Sequence, residues 1–357
     1  MNSGFNSIIT ASAADRLDLF LATAARLGTA VQNIEKDFWV CWTLDVLFNG
    51  LDAGGPRLLF KGGTSLSKAF GLIARFSEDI DITVFRDDLG QPAEVADLNA
   101  LSGKKRRARL DAIRDACQAH IAGPFAAQFY HLAASVIPEA HFRLEPDPHD
   151  RDGQSLLFWY PVVTATAGDY IRSAVKIEAG AKSALDPHVS ATVVPYVIQE
   201  LADLDLAVEN VTTVKPERTF WDKVMILHGL RQWHDRRGEL RYGGQRVSRH
   251  YYDVHQLMSA QAAPAWQADQ ALAIDCAHHA RLFFGSADLG LDSATPGTFT
   301  LVPNTPMREA LRRDYDAMAG MIFGDIPSFD EVLHSAEHFE QIVNDTAVAA
   351  LVTKGTA

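Results

Sequence analysis

The chain has 357 residues, 47% of them hydrophobic, enough for one large or two modest domains whose core needs no disulfide staples. Its 33 Lys and Arg against 45 Asp and Glu leave a formal charge of −12, so the surface as a whole repels nucleic acid and any such contact must be local. Cys41, Cys117 and Cys276 lack CxxC spacing and leave one unpaired under any pairing, the opening MNSGFNSIIT has no basic n-region, and no apolar run approaches the ~20 residues of a membrane span; a soluble, cytoplasmic protein with no membrane partner is expected.

In chain order, the apolar spacing of LDLFLATAARLG and IEKDFWVCWTLDVLF predicts helices over 13–27 and 33–50, the second capped by Asn33. A short strand, RLLF, runs into a Gly62-Gly63 turn, and a helix is expected over 65–74. DIDITVF reads as the next strand, because Ile80, Ile82 and Val84 alternate with Asp79, Asp81 and Thr83. After a polar connection over 85–103, GKKRRARLDAIRDA starts a helix with a basic first turn. HFRLEP, SLLFWYPVV, AVKIEAG, ATVVPYVI and LAVENVTTV, separated by Asp/Gly/Pro turns, are strand signals between 140 and 214, and from Pro216 the pattern is helical to the end. The order predicts an α/β fold: a mixed β-sheet core with flanking helices in residues 1–214, then a largely helical half, 215–357.

Glycines between a strand and a helix let backbone N–H groups approach phosphate oxygens, which makes Gly62, Gly63, Thr64 and Ser65 a candidate nucleotide cradle. Strand alternation puts Asp79 and Asp81 on one face, about 6–7 Å apart, where both can reach Mg²⁺, and a metal ion removes the repulsion between them. Neither signal is specific alone. The stretch lacks the GxxxxGK[ST] of a Walker loop, and GTSLS lacks the last glycine of a nucleophile elbow. The ordered set of strand, GGT turn, helix and DID strand points to phosphoryl or nucleotidyl transfer. A second basic cluster, RQWHDRRGELRYGGQRVSRHYYD (231–253), interleaves arginine with aromatics, a mixture able to hold phosphates and stack on unpaired bases; a solvated face is the alternative. CAHHARLFF, with Cys276, His278 and His279, lacks the remaining ligands of a zinc site.

The ordered set resembles the core signature of the DNA-polymerase-β-like nucleotidyltransferases. FKGGTSLSK followed by RFSEDID is more closely similar to the AbiEii/AbiGii-type toxins, which include the MenT toxins. IEKDFWV (34–40), KPERTFWDKVMILH (215–228, through Glu217 and Lys223) and RVSRHYYDVHQL (246–257, through Arg246 or Arg249 and Asp253) extend the resemblance over residues 34–257.

The resemblance implies an Mg²⁺-dependent toxin that transfers NMP from an NTP to an RNA acceptor, a tRNA 3′ end for preference, held in check by a co-encoded antitoxin. Asp79 and Asp81 would bind metal. Glu178, which shares a strand face with Lys176, would be the third carboxylate, as a metal ligand or general base, unless it only pairs with Lys176. Lys223 would hold the nucleotide's phosphates, with a helix-surface ion pair as its alternative. Arg249 and Asp253 would position nucleotide or acceptor, or simply pair with each other. Lys61 and Lys68 flank the turn and would add phosphate charge or lie on the surface. Arg236, Arg237 and Arg241 are candidates for RNA contact, and Ser77 for regulation by phosphorylation. A metal-dependent phosphotransferase or kinase and a non-catalytic nucleotide-binding module are the other readings.

Overall fold

The computed structural model describes residues 1–164, 173–201 and 203–355, with the side chains of the last helix described through residue 345. The chain divides into two compact units, residues 1–71 with 76–214, and residues 72–75 with 215–357.

The first unit is built on one seven-stranded sheet. Its strands are β1 Leu58–Lys61, β2 Asp79–Val84, β3 Arg143–Pro146, β4 Ser155–Trp159, β5 Ala174–Gly180, β6 His188–Val193 and β7 Val208–Val214. They lie in the order β3-β4-β5-β2-β1-β7-β6. β2 pairs parallel with β5 and β1 parallel with β7, while the remaining neighbours are antiparallel, so the sheet is mixed. The helices of this unit are α1 Ser3–Ile9, α2 Ala13–Leu27, α3 Val31–Asp45, α4 Gly62–Lys68, α5 Val95–Ala100, α6 Gly103–His120 and α7 Ala126–Ala134.

α3 is the centre of its core. Phe38, Trp39 and Trp42 are fully buried, and Trp39 stacks on Tyr160 at 5.4 Å while Trp42 meets Phe158 at 5.2 Å and Phe129 at 6.1 Å. Phe5 and Phe20 close on Phe38 from α1 and α2. Such aromatic contacts add ~0.5–1.5 kcal/mol per pair beyond the area they remove from water. The apolar face of β2 and β5, Ile80, Ile82, Val175 and Ile177, is buried, and alternation therefore turns Asp79, Asp81, Lys176 and Glu178 to the other face.

α3 also buries three consecutive ionisable residues, each with its own partner. Glu35 accepts from the backbone N–H groups of Val163 (2.7 Å) and Thr164 (3.0 Å). Lys36 Nζ is 2.6 Å from Glu78 Oε2. Asp37 pairs with Lys68 Nζ at 2.6 Å and accepts from the Tyr196 N–H at 2.7 Å, while Lys68 also sits 3.7 Å over the Tyr196 ring. Lys68 is therefore not a surface residue, and its pairing with Asp37 anchors the last turn of α4.

Two local expectations change. Ala30, not Asn33, is the N-cap of α3; Asn33 lies in its first turn, where its Nδ2 donates to Thr29 Oγ1 (2.9 Å). The helix expected over 65–74 runs instead from Gly62 to Lys68, because Gly71 takes a left-handed φ of +62° that a continuing helix cannot contain. The connection over 85–103 holds the short α5, pinned by buried Leu98.

The second unit is helical: α8 Pro216–Arg237, α9 Arg249–Met258, α10 Ala263–Ala268, α11 Gln270–Phe284, α12 Thr305–Met318 and α13 Phe329–Gly355. Pro216 at the first position of α8 supplies a pre-set φ and needs no N–H partner there. Phe220 and Trp221 pack on Phe339 at 5.1 and 5.6 Å, and Tyr251, Val254 and Leu257 bury the inner stripe of α9. No described helix is long and apolar enough to cross a membrane.

Removing one partner of a buried ion pair leaves the other's charge uncompensated. Asp37→Asn is expected to lower the unfolding free energy by about 3–5 kcal/mol. The double variant Asp37→Leu/Lys68→Met should lose less than either single change, measured by urea unfolding.

Candidate active site

The sheet register assembles the first group of charged residues. Lys61 on β1, Asp81 on β2 and Glu178 on β5 are consecutive cross-strand partners, and Asp79 is partnered by Lys176 one pleat away. Directly opposed like charges such as Asp81 and Glu178 are unfavourable on a sheet unless cations intervene. Two lysines do so. Lys61 Nζ is 3.8 Å from Asp81, and Lys176 Nζ is 2.5 Å from Glu178 and 3.1 Å from Asp147. Burial works to lower the Lys176 pKa, but Glu178 and Asp147 more than offset it and hold the ammonium above its ordinary value.

Lysine does not balance the whole group. Burial, then the charges of Glu78 and Glu178, push the Asp79 carboxyl up to about 6, with Lys36 working in the opposite direction. A carboxylate held in a field of other carboxylates is the condition that a divalent cation relieves, and in this sense Asp79 and Asp81 fit one. Among the described residues, however, no three His, Cys, Asp or Glu side chains already converge as a metal centre. Glu178 stands in register beside Asp81 but bonds to Lys176.

The start of α4 is shaped around Asp81. Gly62 has φ +80°, and a Cβ at this position would lie 2.1 Å from Asp81 Oδ2. Both conformation and space therefore require glycine. Thr64 donates to the Asp79 carbonyl and its hydroxyl lies 2.8 Å from Ser77 Oγ, while Ser65 donates to the Gly62 carbonyl at 2.9 Å. The hydroxyls of the turn thus tie α4 to the start of β2, and Ser77 stands at that tie.

The second group lies in the helical unit. Lys223 is only 6% exposed, so it is not a helix-surface pair, and Asp253 is 0% exposed. Asp253 does not pair with Arg249 as its i, i+4 spacing allowed. It accepts from Arg75 Nε (2.7 Å) and Nη2 (2.8 Å) and from Lys223 Nζ (2.7 Å). Arg75 and Lys223 outweigh burial and hold the Asp253 carboxyl well below the usual carboxylate range. Burial and Arg75 pull the Lys223 ammonium below its ordinary value against the attraction of Asp253. Two cations share one anion, and Arg249 adds a third positive charge to the same field. His250 Nδ1 is buried there with no hydrogen-bond partner, and burial, then Lys223 and Arg249, drive the imidazole pKa well below its usual value. The cluster carries excess positive charge and an unused polar atom, which suits an anion.

Arg75 was not among the residues the sequence singled out, and His250, in HYYDVH, stood there only beside the packing tyrosines Tyr251 and Tyr252. Arg75 sits inside RFSEDID, but its partner is 178 residues away, a separation no motif spacing reports. Of the other candidates, Arg236 is exposed near the end of α8, Arg237 pairs with Asp288 (2.5 Å), and Arg241 stacks in the turn that follows. Glu217 is in the first turn of α8 with Lys215 at 3.7 Å. His279 stacks on Phe283 at 4.3 Å beside a buried Cys276, a packing role for both.

Among solved structures, MenT4, the nucleotidyltransferase toxin Rv2826c from Mycobacterium tuberculosis H37Rv, is similar at 15% identity and a TM-score of 0.47, with 91% of this chain and 89% of that chain covered. No curated protein matches the sequence. A family model described as nucleotidyl transferase AbiEii toxin, type IV toxin–antitoxin system, matches residues 45–341, most of the chain. The chain belongs to the AbiEii family of nucleotidyl transferase toxins of type IV toxin–antitoxin systems.

Proposed function

We propose that this AbiEii-family transferase moves NMP from an NTP to a hydroxyl of an RNA acceptor, with a tRNA 3′ end as the preferred acceptor and Mg²⁺ as the metal. The observation that carries the reading is the strand face on which Asp79 and Asp81 stand together against a turn that only glycine can form. In the reaction the acceptor oxygen forms a bond to the α-phosphorus, the bond from that phosphorus to the bridging oxygen breaks, and pyrophosphate leaves. A metal held by Asp79 and Asp81 would neutralise phosphate charge and favour the ionised acceptor hydroxyl. Glu178, once released from Lys176, would serve as a further metal ligand or take the hydroxyl proton. Gly62, Gly63, Thr64 and Ser65 bring backbone N–H groups and hydroxyls to phosphate oxygens. Lys223 supplies a point charge to phosphate, and the excess positive charge it shares with Arg75 and Arg249 supports that role. Asp253 and Arg249 position the nucleotide or acceptor.

A type IV system implies an antitoxin as the partner that controls the toxin. Ser77 is a place where control by phosphorylation would act. A phosphate adds about −1.5 to −2 charges, and here they would fall beside Thr64 and the Asp79 backbone. Ser77→Glu should silence transfer and Ser77→Ala should keep most of it.

Incubation with total tRNA and an NTP labelled at the α-phosphate should place label in RNA, whereas a γ-label should stay out of it; label from the γ-position alone would replace the proposal with a kinase. Asp79→Asn and Asp81→Asn should abolish the transfer while the chain stays folded.

Asp79 also gives a pH signature. Its folded pKa is raised, so the cost to stability grows as pH rises from the ordinary carboxylate value, is complete above about 6, and is absent below the ordinary value. Without divalent metal, Asp79→Asn should melt above the wild type at pH 7.5, and the gap should close by about pH 4. Mg²⁺ should raise the wild-type midpoint and leave that of the variant unmoved. Lys223→Ala should raise KM for NTP more than it lowers kcat.

A further inference from the structure

We infer that the arginine-rich turn between α8 and α9 seats an unpaired base of the RNA acceptor, with Tyr242 as the stacking platform and Arg241 as its cationic neighbour. The inference rests on the transfer to RNA proposed above and names the surface that would grip the acceptor strand.

Residues 231–249 contain six arginines against two acidic residues, in a chain whose net charge is −12. α8 ends at Gly238, which has a left-handed φ of +72° and whose N–H caps the His234 carbonyl at 2.8 Å. The following turn, Arg241–Gly244, contains three successive left-handed residues, Tyr242 (φ +58°), Gly243 and Gly244. The glycines adopt this conformation without strain, whereas a tyrosine crowds its Cβ against the backbone. Tyr242 is nonetheless 68% exposed, the most exposed large hydrophobic side chain among the described residues. Packing does not account for an aromatic ring held in strained backbone and left open to solvent.

The ring is not isolated. The Arg241 guanidinium lies 4.7 Å from the Tyr242 centroid and 5.5 Å from that of Trp233, and Arg237 is also 5.5 Å from Trp233. Trp233, Arg241 and Tyr242 thus form a graded stack from half-buried to exposed. Some of the positive charge is already matched, since Arg231 pairs with Asp235 and Arg237 with Asp288. Arg236, which is exposed, and Arg241 lie in the same segment.

Nucleic acid fits this chemistry better than an apolar partner does. Guanidinium planes and aromatic faces stack on any base, and arginine forks bind the flanking phosphates. The base must be unpaired, because within a duplex its faces are covered by neighbours. An acidic protein segment would use the arginines but would have little need of the exposed ring.

Binding of a short unstructured RNA oligonucleotide to the full chain, followed by fluorescence anisotropy in the Asp79→Asn background, tests the inference without transfer. Tyr242→Gly relieves the left-handed strain, so its thermal midpoint should match or exceed that of its parent, yet its affinity for single-stranded RNA should fall about tenfold. Tyr242→Phe should bind as the parent does, since stacking needs the ring and not the hydroxyl. Arg241→Met should weaken binding and flatten its salt dependence between about 50 and 200 mM. Affinity for the same sequence as a duplex should not depend on Tyr242. Unchanged single-strand affinity in Tyr242→Gly would overturn the inference even where wild-type transfer to RNA is intact. Loss of antitoxin binding with RNA binding preserved would make the surface a protein interface and overturn it too. If the wild type transfers nothing to RNA but Tyr242→Gly still loses single-strand affinity, the reaction proposed above fails and the binding surface stands.

Discussion

Asp81 can lie against the start of α4 because residue 62 has no side chain. A Cβ there would stand 2.1 Å from the carboxylate oxygen, and the turn's φ of +80° is itself a conformation that other residues adopt only under strain. The contact fixes the backbone at the start of α4 and the carboxylate of Asp81 relative to each other. Displacing either would disturb the other. The hydroxyls of Thr64 and Ser77 extend the coupling to the backbone of Asp79, so the first turn of α4 and the first residues of β2 are positioned as one piece.

That piece is held at both ends by α3. Asp37 fixes Lys68 at the end of α4, and Lys36 fixes Glu78 immediately before Asp79. Buried ion pairs add little net stability, because desolvation offsets most of their attraction, but losing half of one is costly. The geometry is therefore defended more strongly than the fold is stabilised. The adjacent Glu35 uses the same helix to bind the backbone of Val163 and Thr164 after β4. Three consecutive charges can all be buried on one helix only when the helix is surrounded, and α3 is, with apolar contacts to α1, α2, β4 and α7.

What could be read from the sequence follows from this. The period-two alternation of DIDITV and AVKIEAG reports which side chains share a face, because the pleat has no other solution. The strand faces carrying Asp79, Asp81, Lys176 and Glu178 were legible, as were six of the seven strands and the change to helices at Pro216; ATVVPYVI (191–198) meets β6 only over 191–193, because β6 starts at His188 and the chain turns into a 3-10 helix at Tyr196–Glu200. The partners were not. Lys68 and Asp37 are 31 positions apart and Arg75 and Asp253 178 apart, and a lysine in a sequence gives no sign of whether it will be buried. Local pattern failed at Asn33, a good capping residue in the wrong turn of its helix, and at residues 69–74, where Gly71 overrode an otherwise helical spacing. The local i, i+4 option of Arg249 and Asp253 lost to tertiary partners, because Asp253 is fully buried and Arg75 offers it a two-toothed hydrogen-bonding fork.

Each unit carries a charge imbalance of its own. On the sheet, carboxylates outnumber the lysines beside them and Asp79 is driven toward protonation. In the helical unit, Asp253 is shared by Arg75 and Lys223, and His250 is driven toward neutrality. Such imbalances oppose folding when no ligand is bound, because like charges are brought together at the cost of the native state. They favour binding for the same reason, since a cation at the first group or an anion at the second removes repulsion that the protein has already accepted. A ligand present at one hundred times its Kd stabilises the folded chain by about 2.7 kcal/mol. Each cluster thus has its own physical reason to take a charged ligand, a cation on the sheet face and an anion in the helical unit.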